Sequence, residues 1–277
     1  SRYELPSSQN IVWQSSYNYH NQDSYYGDSE YKGTQNTLFH QLLWYKDLGL
    51  RHQFTTGIAY KFNSYNDNTP ATKEIDFTYI PGLFIQDEFT LSNKWKFLSG
   101  FRWDRHQDHG NIFAPRLNLK WTPNTNTSFR WNAGTGFRVV NIFTEDHAAL
   151  SGARDIVINN ELQPEESINI NFNLHHWFQI KDYHTSIDLD LFYTHFGNKI
   201  VPNYNTDPTK IIYDNLEEYS ISKGASFQIN QSFSIPLNIS LGGTYLDVYT
   251  INEGEKNIEL FTPSFSGVFS VGYEWPL

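Results

Sequence analysis

The chain has no cysteine and no methionine, and only 18% of its 277 residues carry charge. Without cysteine there is no disulfide framework, no thiolate metal site and no thiol nucleophile. Lysine and arginine are the scarcer charged class, 20 against 30 aspartates and glutamates, which leaves a net charge of −10. That balance excludes nucleic acid as the partner, because neutralising phosphates needs clustered cations. No apolar run approaches the ~20 residues of a membrane helix, so a helical membrane protein is excluded as well. No Gly-x-Ser-x-Gly elbow, His-Glu-x-x-His or phosphate loop is present, and the reading is that the chain is not an enzyme and carries no cofactor or resident metal. No secretory leader is visible, which reads as a mature, trimmed or partial chain.

Aromatic residues are abundant: 8 Trp, 18 Tyr and 21 Phe, 17% of the chain. They fall into period-two patterns. Over 50–63, Leu50, His52, Phe54, Thr56, Ile58, Tyr60 and Phe62 alternate with Arg51, Gln53, Thr55, Gly57, Ala59, Lys61 and Asn63. Strands send successive side chains to opposite faces, so this segment has one greasy and one wet surface. The pattern repeats at 94–105 (Trp95, Phe97, Phe101 and Trp103 against Lys96, Gly100, Arg102 and Asp104) and at 112–122. It returns at 127–138, where Phe129, Trp131, Ala133 and Phe137 oppose Arg130, Asn132, Gly134 and Arg138. Segments 167–174 and 219–235 read the same way, with Ile168, Ile170, Phe172 and Leu174 opposing Ser167, Asn169, Asn171 and Asn173 in the first.

Short turns are expected near Asp47–Gly49, Ser92–Asn93, Pro123–Asn126, Lys181–Asp182 and Ile235–Pro236. Long polar loops are expected at 21–33, 64–76, 105–111, 139–163, 197–216 and 250–260. Short turns at one end and long loops at the other are the asymmetry of outer-membrane barrels. The fold expectation is therefore all-β: an antiparallel up-and-down transmembrane β-barrel, with about twelve strands in six hairpins. The competing architecture is a soluble antiparallel sandwich, which also has one apolar and one wet face. The number of strands, their length and the aromatics near strand ends favour the membrane barrel.

Several stretches resemble a known family. Phe84-Ile85-Gln86-Asp87-Glu88-Phe89, Gly100-Phe101-Arg102-Trp103-Asp104 and Ala114-Pro115-Arg116-Leu117 are similar to TonB-dependent outer-membrane receptors. So are Gly134-Thr135-Gly136-Phe137-Arg138, Asn141-Ile142-Phe143-Thr144-Glu145 and Leu162-Gln163-Pro164-Glu165. Ser24-Tyr25-Tyr26-Gly27, Thr262-Pro263 and Gly272-Tyr273-Glu274-Trp275-Pro276 fit neighbouring hairpins, and the versions in Bacteroidetes-type bacteria are the most similar. The ordered set carries the resemblance, since each motif alone is weak. It implies a barrel of about 22 strands closed by a plug. Residues 1–277 would then be a single partial barrel domain without its N-terminal plug, its TonB-engaging segment and its last strands.

The resemblance also implies a function: import, across the bacterial outer membrane, of a scarce nutrient such as an iron–siderophore or other metal chelate. The partners would be TonB (through the absent plug), the chelate and outer-membrane lipid. Candidate ligand contacts are Tyr25, Tyr26, Trp103, His106, His109 and Arg138, and candidate plug or lumen contacts are Arg102, Arg116, Arg130, Glu145 and Glu165. The arginines lie on the polar face, where guanidinium groups meet either anions in the lumen or acids such as Asp104, Glu145 and Glu165 within the wall; pairing within the wall is the commoner fate. Tyr31, Tyr65 and Tyr204 are further loop aromatics suited to stacking on a ligand or packing within the loops. His106 and His109 flank Asp108 at an expected loop tip, a donor set for a transition metal, although solvated loop histidines are commoner. His175 and His176 are adjacent, so a strand points them apart.

Two other classes stay open. A passive porin or adhesin needs no plug. An outer-membrane phospholipase also has twelve strands, and His52 and His195 are the histidines on greasy faces that it would need.

Overall fold

Alternating β-branched and aromatic residues cannot bury a helical stripe, but they fit a pleated surface with two unlike faces. The computed structural model bears this out. It describes residues 2–5, 9–26, 29–68, 72, 74–139, 154–158, 162–204, 206–252, 254–259 and 261–275. Among them there is no helix. The strands are β1 (Arg2–Leu5), β2 (Gln9–Tyr26), β3 (Ser29–Leu48), β4 (His52–Asp67), β5 (Asp76–Ser92), β6 (Trp95–His106), β7 (Gly110–Asn124) and β8 (Thr127–Arg138). They continue as β9 (Asp155–Ile158), β10 (Glu165–Ile180), β11 (Tyr183–Phe196), β12 (Ile200–Asn203), β13 (Lys210–Asn215), β14 (Tyr219–Ser232), β15 (Leu237–Asn252), β16 (Glu255–Ile258) and β17 (Phe265–Tyr273).

Among the described residues fourteen strands form one antiparallel sheet in sequence order, from β1 at one end to β16 and β17, which both pair with β15, at the other. Its two ends do not pair with each other. The expected short turns all join strands at the same end of this sheet, between β3 and β4, β5 and β6, β7 and β8, β10 and β11, and β14 and β15. Three of the expected long loops are mostly strand. Segment 21–33 is the paired end of the β2–β3 hairpin, 105–111 shrinks to the turn 107–109, and 250–260 contains the end of β15 and all of β16. Polar sequence does not end a strand whose backbone still has a partner; the ladder continues into water.

Of the other three, 64–76 begins within β4 and ends on the first residue of β5, while the large connections after β8 and after β11 build a second sheet. There β13 pairs antiparallel with β12 and parallel with β9. Parallel pairing between segments so far apart ties the two connections into one unit.

Burial is inverted relative to a water-soluble fold. The greasy face is open, with Leu83 at 49%, Phe113 at 56% and Ile170 at 53% exposure, whereas the polar face hides Asp104 at 1% and Ser128 at 9%. Greasy rows run unbroken across strands, as in Trp103↔Leu83, Phe101↔Ile85 and Trp131↔Phe172. Aromatics stack along them: Trp95 on Trp121 at 5.4 Å and Trp121 on Phe129 at 5.0 Å. Trp95 and Trp103 bracket β6 on this face. Eight residues at about 3.3 Å each, tilted by roughly 40°, separate them by about 20 Å across a bilayer, close to the height of a barrel's apolar band.

Adjacent residues test this orientation. Ile170→Arg on the open greasy face is expected to destabilise by about 2–4 kcal/mol when urea unfolding of the full-length protein is followed in lipid vesicles. Asn171→Arg, one residue along, should change stability by less than about 0.5 kcal/mol. Equal, small effects would mean that the greasy face meets water.

Candidate functional site

The inner, polar face of β5 to β10 gathers the arginines. Gly82 on β5 leaves room for Asp104 of β6, its cross-strand neighbour, and Arg102 closes over that carboxylate with two hydrogen bonds, from Nε at 2.6 Å and Nη2 at 2.7 Å. Arg102 is partly exposed while Asp104 is not. The guanidinium also lies 6.0 Å from the Phe84 ring centroid. Arg116, on β7, sits between Gly100 and Gly134 in the strands on either side, and its Nη2 donates to Gln86 Oε1. A Cβ at Gly100 would meet Arg116 Nε at 2.9 Å, so glycine there makes room for the long side chain to lie flat. Arg130 approaches Asn173 Oδ1 at 3.5 Å, and Asn173 in turn donates to Asp190 at 2.8 Å.

Arg138 and Glu165 end β8 and begin β10 as cross-strand partners. Glu165 is 3% exposed and accepts from Arg138 Nε at 2.8 Å, from Arg138 Nη2 at 2.7 Å and from the Ile200 backbone N–H at 2.9 Å. Asn198 and Asn215 complete this knot: Asn198 accepts from the Glu166 N–H and donates to the Pro164 carbonyl, and Asn215 bridges Gln163 and Asn198. Glu165 thereby anchors the second sheet to the wall. Glu145 lies outside the described residues.

The second sheet packs across to β3. Tyr31, Ile211 and Tyr213 form a buried cluster with Ile156, Leu162 and Ile200 against it. The Tyr31 and Tyr65 hydroxyls are 2.9 Å apart, and Tyr65 donates to Asp67 at 2.6 Å. Burial and the Asp67 carboxylate push the Tyr65 phenol well above its ordinary value of 10.0. The Lys210-Ile211-Ile212-Tyr213 run is a strand signal inside a polar segment. It marks the part of the site that the loop assignment passed over.

The other candidates separate. Tyr25 is 70% exposed and donates to Glu30 at 2.8 Å, which raises its pKa. Tyr26 ends β2, and its side chain lies outside the described part of the structure. Trp103 points to the greasy outer face, away from every lumenal arginine, and donates Nε1–H to Asn111 at 3.1 Å. His106 is no solvated tip residue: it is 2% exposed on the inner face, and its ring lies 4.6 Å from the tilted ring of His109. Its Nδ1 accepts from the Asp108 and His109 backbone N–H groups at 3.2 and 3.4 Å, and burial lowers its pKa from 6.5. Among the described residues no three His, Cys, Asp or Glu side chains are grouped to hold a metal ion. His175 and His176 do point apart, to Asp188 at 2.7 Å and to Thr127 at 2.9 Å. His52, on the outer face, pairs with Asp87 at 2.8 Å.

A paired inner wall and an oily outer wall are features of a conduit through a membrane. The family model for "TonB dependent receptor-like, beta-barrel" matches residues 1–277. The chain belongs to the TonB-dependent receptor β-barrel family. Members of this family are outer-membrane receptors and transporters, not enzymes. The chain is 31% identical over 129 residues to an iron-regulated outer membrane virulence protein of Vibrio cholerae, a match covering 44% of this chain and 20% of that protein. It is 25% identical over 206 residues to a probable TonB-dependent siderophore receptor, PiuA, of Acinetobacter baumannii, covering 69% of this chain and 27% of that one. The solved structure of the siderophore receptor PiuA from Acinetobacter baumannii superposes with a TM-score of 0.69 at 15% identity, covering 98% of this chain and 51% of that one. The chain thus spans between a fifth and about a quarter of the length of the curated relatives it matches.

Two measurements check this geometry. Arg102→Ala strands a buried carboxylate and is expected to lower stability by about 3 kcal/mol in urea unfolding, whereas Arg102→Leu combined with Asp104→Leu should recover most of the loss. The second concerns pH. The folded-state pKa of His106 lies below its ordinary 6.5, so the stability from its neutral form is full above that value and falls as pH drops through and below it. The urea midpoint should decline from about pH 7.5 to about pH 5, and His106→Gln should flatten that slope.

Proposed function

We propose that the full-length protein is a TonB-dependent importer of an iron–siderophore chelate, and that this chain supplies part of its barrel wall. The observation that carries the reading is the inverted wall: a continuous lipid-type exterior enclosing a row of arginines that are already matched to neighbours. The names of the similar proteins, iron-regulated and siderophore receptor, support iron as the cargo.

On this reading the site is divided by height. Arg102, Arg116 and Arg130 line the inner wall as contacts for a plug, with Arg116 and Arg130 held by neutral amides and therefore retaining their charge for carboxylates on that plug. Glu165 serves with Arg138 as the anchor of the second sheet, and Glu145 is assigned with them to plug or neighbouring strands by resemblance. Tyr25, Tyr26 and His109 remain the mouth contacts for the chelate. His106 acts by packing beneath His109. Trp103 belongs to the membrane face. TonB engages the protein through the plug, as the family relationship implies.

The test uses the full-length gene in a bacterial host stripped of its own ferric receptors. Growth on a panel of ferric siderophores as sole iron source should require both this protein and TonB. Arg116→Glu, placed opposite plug carboxylates, should cut uptake at least about tenfold while leaving the folded barrel intact on heat-modifiable gels. Uptake that persists without TonB would instead identify a passive porin.

A further inference from the structure

At the mouth end of β3 and β4 three acidic oxygens converge. Tyr65 and Asp67 are two residues apart on β4, so their side chains leave the same face, and Gly33 of β3 lies across from Asp67. Tyr31 precedes Gly33 by two residues on that face. A Cβ at Gly33 would meet the Tyr31 hydroxyl at 2.6 Å, so glycine lets the phenol fold back along its own strand toward β4. The Tyr31 and Tyr65 oxygens are 2.9 Å apart, and those of Tyr65 and Asp67 are 2.6 Å apart. All three side chains are buried, at 3%, 4% and 8% exposure. Asn68 holds the two backbones beside them. Its N–H donates to the Lys32 carbonyl at 3.1 Å, its Nδ2 to the Glu30 carbonyl at 2.9 Å, and its Oδ1 accepts from the Lys32 N–H at 2.8 Å. Tyr65 is seven residues beyond Ile58, which aligns with Leu83 and Trp103, and so stands about 20 Å past that aromatic row along the strand, outside the membrane.

Phenolate and carboxylate oxygens are hard anionic ligands, suited to hard cations. An octahedral ion with metal–oxygen distances of about 2 Å sets adjacent oxygens about 2.8 Å apart. The spacings that let two protons bridge these oxygens therefore also let one cation replace the protons. Charge selects its valence. Two phenolates and one carboxylate carry three negative charges, so a trivalent ion leaves the buried site neutral, whereas a divalent ion leaves a charge unbalanced. Ile211 and Tyr213 pack on Tyr31 and raise the cost of any such imbalance.

We propose that Tyr31, Tyr65 and Asp67 form a binding site for a ferric ion, held by three oxygens on one face of an octahedron. Binding releases the phenol protons of Tyr31 and Tyr65 to solvent, and the remaining positions go to water or to carboxylates of a carrier chelator. Occupancy clamps the ends of β3 and β4 together where the second sheet rests, since Tyr31 takes part in both contacts. The site rests on side chains of the wall and not on the identity of the imported ligand.

Titration of tag-free full-length protein in detergent with ferric nitrilotriacetate tests it. The wild type should develop a visible phenolate-to-iron(III) charge-transfer band that saturates at one ferric ion per protein. Gallium(III), which gives no such band, should compete for the site, and zinc(II) should not. Tyr31→Phe and Tyr65→Phe keep the rings and remove one phenolate each, and Asp67→Asn removes the carboxylate charge. Each should weaken binding at least about tenfold, the least that disturbing a metal's ligand set usually costs. Tyr19→Phe, at an exposed tyrosine on the opposite face of the β2–β3 ladder, should change nothing. Heat-modifiable gels establish that each variant barrel is folded. No band in the wild type, a band of full strength in folded Tyr65→Phe, or zinc competing as well as gallium would overturn the proposal. The band is read on purified protein, so its presence or absence is separate from growth on ferric siderophores.

Discussion

Hydrocarbon offers no partner to a peptide group, and that fact governs the whole molecule. Each N–H and C=O at membrane depth must be paired by a neighbouring strand, because leaving one unmet costs several kcal/mol. The long, in-register ladders from β2 to β15 answer this demand, and their two register shifts fall near the short turns, at Thr90/Ser92 and Trp121/Asn124. Pro123 lies in the irregular end of β7, and Pro81 and Pro115 leave a donor missing further within the wall. Pro81 and Pro115 both sit on the greasy face, opposite Tyr60 and Phe101.

Once the ladder is fixed, the rest of the chemistry is a matter of parity. A strand one residue out of register would put Arg102 and Asp104 into lipid and Phe101 and Trp103 into the lumen. The arginines are tolerable because the inner face gives each of them a hydrogen-bond partner close by: a carboxylate for Arg102 and Arg138, an amide for Arg116 and Arg130. That division separates anchors from contacts. Arginines matched to acids hold the wall together, and, on the function proposed above, arginines matched to amides keep their charge available for something entering the lumen.

Parity was legible in the sequence, and it carried the strands, the faces and the short turns. It also placed Trp103 among the greasy residues, on the same side as Trp95 and Phe101, so its outward position follows from the alternation and not from its neighbours in the motif. Loop lengths were less legible, because Asn, Gln and Tyr in 21–33 look like loop composition, while what decides strand content there is whether the backbone has a partner. The burial of His106 could not be read at all: it depends on backbone N–H groups two and three residues later turning back onto its ring. The second sheet was equally hidden, since Asp155–Ile158 and Lys210–Asn215 are about fifty residues apart and join in parallel.

The strand β6 shows why inside and outside cannot be considered apart. Four successive residues alternate between two environments: Arg102 and Asp104 bind each other in the lumen, while Trp103 and Arg105 both bond Asn111 on the exterior. Each pair resists a slip that the other would also have to undergo, so the two faces fix the register jointly. The inner pair is strong because it is shielded, and the outer pair is weak because it is open to lipid and water.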